Sequence, residues 1–247
     1  MIKKVIRKGV KKAVNTKPGL KFFKTLASEI RVENAWALEA DNPSIVRSFK
    51  KFSGVSVPRK IEGFEDLAFL FTSWRGNRGI VRLDFDEAAY LFKLVRSLNN
   101  PQCVEIGRFK GGSTLLIASA MRGGMLFSID LHVTLDKEGA QRDSELEEML
   151  RKTDLNGRVS LIVGDSRTYD NRSLSVDFLW IDGDHSYQGV RADFEHWIGA
   201  LRPGGHVLFH DDHIGQPGVQ RFMRELEREK SLDKINAPGS MAHFVKR

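Results

Sequence analysis

Two short stretches hold the densest ionisable chemistry of the chain, Asp182-Gly183-Asp184-His185 and His210-Asp211-Asp212-His213. Each closes an apolar run that reads as a β-strand, at 176–182 and 205–210. Adjacent strands lie about 4.8 Å apart, so residues at neighbouring strand ends can share one ion. Several carboxylates converging with no lysine or arginine close by in sequence repel one another, and a divalent cation resolves that. Oxygen ligands favour Mg²⁺, Mn²⁺ or Ca²⁺ over Zn²⁺. A plainer reading has Asp182 and Asp211 capping loops, with the histidines in water. A third draws an iron site from His185, His210 and Asp211. Side chains alternate along a strand, however, so His210 and Asp211 are expected to diverge. The lone cysteine, Cys103, sits in an apolar run and reads as a buried thiol, which excludes a cysteine metal cluster and a disulfide framework.

A second constellation lies upstream. The run Val104-Glu105-Ile106 leads into Gly107-Arg108-Phe109-Lys110-Gly111-Gly112-Ser113-Thr114. Glycines such as Gly107 and Gly111 let a backbone turn tightly towards a ligand, and Ser113 opens a helix whose first N–H groups are unpaired. The dinucleotide fingerprint is absent, because Glu105 stands where its first glycine would be, and no Gly-Lys-Ser/Thr marks a P-loop. A carboxylate at that place repels a pyrophosphate and suits an ammonium group. Asp130, 25 residues after Glu105, ends the next strand, where an acid accepts hydrogen bonds from ribose hydroxyls. Asp165 and Ser166 follow Gly164 at the end of the third strand. Asp165 suits the exocyclic amine of adenine, or equally a helix cap. Together these residues fit a nucleoside with a zwitterionic tail.

The elements that must position these groups alternate along the chain. Apolar runs at 102–106, 125–130, 159–163, 176–182 and 205–210 predict strands, with helices at 112–122, 142–152 and 187–201 between them. That order predicts an α/β fold with a parallel sheet covered on both faces. A helix over 218–230 and strands near 233–237 and 241–246 complete the chain, the last two read as a hairpin that makes one edge strand antiparallel. Upstream, Asp84 or Asp86 caps a helix with a stripe of Ala89, Leu91, Phe92 and Val95. Trp180, Trp197 and His196 read as structural. Residues 1–80 form a basic, mostly helical extension and 81–247 the α/β domain.

The charge is unevenly distributed. Residues 1–60 carry a net +11 and the remaining residues a net −4. Ile2, Val5, Ile6, Val10 and Ala13 oppose a basic face of Lys3, Lys4, Arg7, Lys8, Lys11 and Lys12. Such a helix, within residues 1–17, suits an anionic membrane surface, a groove on a partner subunit of a homo-oligomer, or a solubilising tail. The acidic body argues against nucleic acid as a partner. There is no apolar run of about 18 residues and no signal peptide at the start, so the expected location is cytoplasmic, with a peripheral place at the inner face of a membrane as the variant.

Four segments taken in series carry a resemblance: VEIGRFKGGSTL, LFSIDLH, LIVGDS and VDFLWIDGDHSYQGVRADFEHWIGALRPGGHVLFHDD. Over about residues 85–247 the chain resembles class I S-adenosylmethionine-dependent methyltransferases, in particular the bacterial methyltransferase family 24. That family is similar to the metal-dependent O-methyltransferases of catechols, caffeoyl-CoA and macrolide sugars. The resemblance implies a doubly wound, Rossmann-like sheet of seven strands with the last antiparallel, and S-adenosylmethionine held by Glu105, Gly107, Gly111, Ser113, Asp130, Asp165 and Ser166. It implies Mg²⁺ (or Mn²⁺) on Asp182, Asp211 and Asp212, although such enzymes usually have Asn at the last position. His185 occupies the place of their lysine base, and a histidine is better matched to neutral pH. The implied acceptor is a hydroxyl of a small molecule or saccharide: a glycan, a lipid-linked saccharide or a secondary metabolite. A nucleic-acid methyltransferase and a non-catalytic, membrane-associated scaffold are the rival readings.

Overall fold

In the computed structural model the described residues are 60–71, 80–131, 139–213 and 215–247. The basic arm of residues 1–17 and the helix expected over 20–30 lie outside them.

After a 3-10 helix at Phe64–Leu70 come α1 (Phe85–Ser97), β1 (Gln102–Ile106), α2 (Gly112–Ala120), β2 (Met125–Asp130) and α3 (Gly139–Lys152). Then follow β3 (Val159–Val163), β4 (Val176–Ile181), α4 (Tyr187–Trp197), β5 (Leu201–Phe209), α5 (Pro217–Leu226), β6 (Leu232–Ile235) and β7 (Ala242–Lys246). The sheet runs β3-β2-β1-β4-β5-β7-β6, with β7 antiparallel to both neighbours. The expected seven-stranded, mostly parallel sheet is thus present. Its antiparallel strand is not at an edge: β7 enters between β5 and β6, because its apolar Ala242 and Phe244 pair with Phe209 and Val207. The more polar β6 takes the rim.

Strand residues alternate between two apolar layers, as the pleat requires. Cys103, Phe178 and Trp180 face Leu91 of α1, Leu115 of α2 and Leu146 of α3, while Val104, Leu179 and Ile181 face Phe194 and Trp197 of α4 and Phe222 of α5. Leu67 and Leu70 are fully buried in the first layer, so the folded body reaches back past the boundary drawn at residue 80. Helix α1 buries Ala88 rather than Ala89 beside Leu91, Phe92 and Val95. Asp84 takes its N-cap position, and the Glu87 carboxylate accepts a hydrogen bond from the Asp84 N–H at 2.8 Å. Helix α4 ends at Trp197 because β5 begins at Leu201, opposite Val176.

Candidate active site

The order of strands reverses between β1 and β4, and a crevice opens beyond the carboxyl ends of strands at such a point. Ile106 pairs with Ile181, and Ile181 with Phe209. The next residues, Gly107, Asp182 and His210, therefore emerge side by side. The Asp182 N–H donates to the Ile106 carbonyl at 2.8 Å, and the His210 N–H to the Ile181 carbonyl at 3.2 Å.

Asp182, His185 and Asp211 offer ligand atoms that all lie within 4.8 Å of one another. His185 Nε2 lies 3.1 Å from Asp211 Oδ2 and 3.4 Å from Asp182 Oδ1. The turn that presents it is set by local bonds: Asp184 accepts from the Ser186 N–H at 2.9 Å, and Ser186 caps α4 by accepting from the Gly189 N–H at 3.0 Å. Asp211 adopts a left-handed φ of +63°. That twist breaks the strand alternation, so the expected divergence of His210 and Asp211 does not occur: His210 Nδ1 is 3.6 Å from Asp211 Oδ1 and 3.3 Å from Asp182 Oδ1. Asp212 does not join the cluster, contrary to the ligand set the resemblance implies. Its N–H donates to the Ser240 carbonyl at 2.8 Å, burial pushes its pKa up, and the nearest charges acting on it are Lys234, Glu227 and Arg224, with a smaller contribution from His213.

The two histidines supply the counter-charge that the sequence lacked. Burial opposes a charge on His210, but Asp182, Glu87 and Asp211 outweigh it and push its pKa up to about 11. Burial likewise opposes His185, which Asp182 and Asp211 push up to about 9. In return, and against their own burial, Asp182 and Asp211 stay below the usual carboxylate range, and Glu87 falls to about 2. The spacing of the cluster still suits one ion, and two carboxylate oxygens with one imidazole nitrogen fit a hard or borderline divalent cation.

The residues expected to hold a nucleoside divide into two groups. Glu105 is engaged within the protein. It has no exposed surface, and its carboxylate accepts from Ser113 at 2.5 Å, Thr114 at 2.6 Å and Ser128 at 2.6 Å. Burial pushes its pKa up against those three donors. Ser113 is thereby engaged as well. Ser166 is buried and donates to Asp193 at 2.5 Å, and Asp165 is held by Arg167 at 2.7 and 2.6 Å while capping the short turn after β3. The capping alternative is thus the geometry found for Asp165. Gly111, at φ +77°, makes room for Leu146, and Gly107, at φ +87°, for the Asp182 backbone.

Asp130 is placed as expected, at the end of β2. Its Oδ2 accepts from the N–H groups of Arg108 and Phe109 at 2.8 and 2.9 Å, which pins the glycine turn to the edge of the crevice. Beside it Leu131 and Val163 are exposed, at 53% and 59%, and Gly164 faces open space. An apolar shelf next to a carboxylate at the strand ends fits the flat face and ribose of a nucleoside. Sequence reasoning missed this shelf, as it missed Glu87.

Residues 104–211 match the family described as a methyltransferase domain. Over that segment the chain is similar to methyltransferase domains. A stretch covering 54% of the chain is 31% identical over 142 residues to an uncharacterized protein of Sinorhizobium fredii, of which it spans 16%. A second relative, from Acanthamoeba polyphaga mimivirus, is 29% identical over 137 residues, 54% of this chain and 62% of that protein. The chain thus spans less than two thirds of either relative's length. Among solved structures, the O-methyltransferase TomG of Streptomyces achromogenes, crystallised with S-adenosylmethionine, superposes with a TM-score of 0.57 at 19% identity, covering 75% of this chain and 91% of that one. The described α/β body is therefore Rossmann-like in fold, and the segment matched by the family ends at Asp211, inside the cluster. Among the described residues no helix is long and apolar enough to cross a membrane.

Proposed function

We propose that the chain transfers a methyl group from S-adenosylmethionine to a hydroxyl oxygen of a small molecule or saccharide, with Mg²⁺ or Mn²⁺ at the carboxylate cluster. The observation that carries this reading is the convergence of Asp182, His185 and Asp211 at the strand-end crevice, beside the turn that Asp130 pins. On the donor side, Asp130 would receive the ribose hydroxyls, and Leu131 and Val163 the base. The donor supplies an electrophilic methyl group on a sulfonium. On the acceptor side, Asp182 and Asp211 would hold the cation, with His185 beside it. A cation bound there supplies a Lewis acid for the acceptor hydroxyl and offsets the two carboxylates that otherwise keep a proton on His185. His185 Nε2, freed of that proton, takes the one the hydroxyl gives up. Holding oxygen and methyl carbon in line provides much of the acceleration, since effective molarities reach about 10⁵–10⁸ M. Residues 1–17 are read as a peripheral contact with an anionic membrane, which would bring the site to lipid-linked acceptors.

Calorimetry and thermal shift with S-adenosylmethionine test the reading. The donor should raise Tm, by about 2.7 kcal/mol of added stability at a hundredfold excess over Kd. Asp130→Ala should remove most of that shift. No response to millimolar donor, or a larger one to NADH, would overturn it.

A further inference from the structure

Glu87 belongs to none of the motifs above, yet its carboxylate is almost wholly buried and meets the cluster from behind. We propose that Glu87 and His210 form a positioning pair that sets the carboxylates of Asp182 and Asp211 for the cation. The proposal rests on the metal reading given above.

His210 is 7% exposed, and its ring lies over Trp180 with centroids 5.8 Å apart. Nε2 is 3.4 Å from Glu87 Oε2, and Nδ1 is 3.3 Å from Asp182 Oδ1 and 3.6 Å from Asp211 Oδ1. The two ring nitrogens thus lie against carboxylates on opposite sides, Glu87 behind and the two aspartates in front. Glu87 is itself immobilised from two directions. Its Oε2 accepts from the Asp84 N–H at 2.8 Å at the start of α1, and its Oε1 accepts from the Ser240 N–H and hydroxyl at 2.6 and 2.9 Å. Gly239, at φ +60°, lets that tail loop approach, since a Cβ there would meet Glu87 Oε1.

The consequence is a sorting of oxygens. His210 Nδ1 lies against Oδ1 of both aspartates, an oxygen that Asp182 shares with His185 at 3.4 Å and Asp211 with His213 at 3.1 Å. Asp211 Oδ2 is left facing His185, and Asp182 Oδ2 accepts no hydrogen bond among the described residues. Partners that fix a ligand carboxylate from behind contribute about 10–100-fold to metal affinity.

The test is a Mn²⁺ titration of the full chain, followed by the paramagnetic resonance of the free ion, with donor affinity measured in parallel by calorimetry. His210→Ala should weaken Mn²⁺ binding by about 10–100-fold and leave donor affinity unchanged. His210→Gln, which keeps an N–H donor, should recover most of the loss. Glu87→Gln can still cap α1, so it separates positioning from folding should the alanine variant fail to fold; it should weaken Mn²⁺ several-fold. If the wild type binds Mn²⁺ and the folded His210 and Glu87 variants bind it as tightly, the pair is only a structural counter-charge and the proposal is overturned. If the wild type binds donor but no Mn²⁺, the metal reading fails and takes the proposal with it.

Discussion

Gly107 offers the sharpest mutational test, because its surroundings are backbone on every side that matters. It sits at φ +87°, and a Cβ there would lie 2.1 Å from the Asp182 carbonyl oxygen, inside the 3.0 Å that real Cβ contacts respect. The next neighbours, the Asp182 carbonyl carbon and Gly183 Cα, are at 2.5 and 2.8 Å, so no rotamer change relieves Gly107→Ala. Left-handed geometry costs an L-residue about 1–2 kcal/mol, and overpacking a filled site about 1–3 kcal/mol more. Together that is about 2–5 kcal/mol, or a Tm lowered by about 4–20 °C in a domain of this size. The displaced carbonyl belongs to Asp182, so Mn²⁺ binding should weaken along with stability. Gly164→Ala is the control. No atom lies within 4 Å of its Cβ position, and its Tm should stay within about 2 °C of wild type. Melting followed by circular dichroism decides. Equal Tm values for the two variants would refute the close-approach argument.

Three further outcomes are expected. Activity should be lost in excess chelator and return with Mg²⁺ or Mn²⁺, and Asp211→Ala should lower kcat far more than Asp184→Ala, whose carboxylate only braces the Ser186 turn; full turnover in chelator would make the cluster structural. His243 accounts for part of the acid sensitivity: burial and then His206 pull its pKa from 6.5 down to about 4. Its folded value lies below the unfolded one, so the unfolded chain alone binds the proton between those limits. Stability is full above pH 6.5 and falls by on the order of 3 kcal/mol towards pH 4. Urea melts at pH 7.5 and 4.5 should show that slope reduced in His243→Gln, and an unchanged slope would assign it elsewhere. Finally, full-length chain should sediment with anionic vesicles at low salt and a chain lacking residues 1–17 should not. A change in oligomeric state on truncation would favour the partner-subunit reading instead.

The strand boundaries were legible because buried parallel strands are continuous apolar runs, and Cys103–Ile106 and Phe178–Ile181 leave little freedom in where they end. Pairing across the sheet was not. Nothing in 241–246 announces that Ala242 and Phe244 fit β5 better than the outer edge, since that choice is made by long-range packing. The site divided in the same way. Asp130, Asp182 and Asp211 follow directly from strand ends, which periodicity locates. The burial of Glu105 was not legible because its direction depends on a partner strand: the register sets it opposite Ser128, and Ser113 and Thr114 then close over it. Three hydroxyl residues around one acid were the signal available. His210 and Asp212 depended on a single left-handed residue, Asp211, and a sequence of acids and histidines carries no mark of it. Glu87 could have been read as a helix cap from its spacing to Asp84, but its contact with His210 spans 123 positions of chain.

Arg108 has a consequence for how such a chain can diversify. Its guanidinium is wholly buried and forms a two-point bond with Asp143 of α3, at 2.8 and 2.7 Å, while Nη1 donates to the Ser128 and Ile162 carbonyls at 2.7 and 3.2 Å. One side chain thus fastens β2, β3 and α3 to the turn after β1. The segment 132–138, which joins β2 to α3, connects two ends that Arg108 already holds in place. Its length and sequence can be exchanged without loosening the floor of the crevice. A library of segments grafted between Leu131 and Gly139 should therefore leave the domain folded, because Arg108 fastens the elements on both sides.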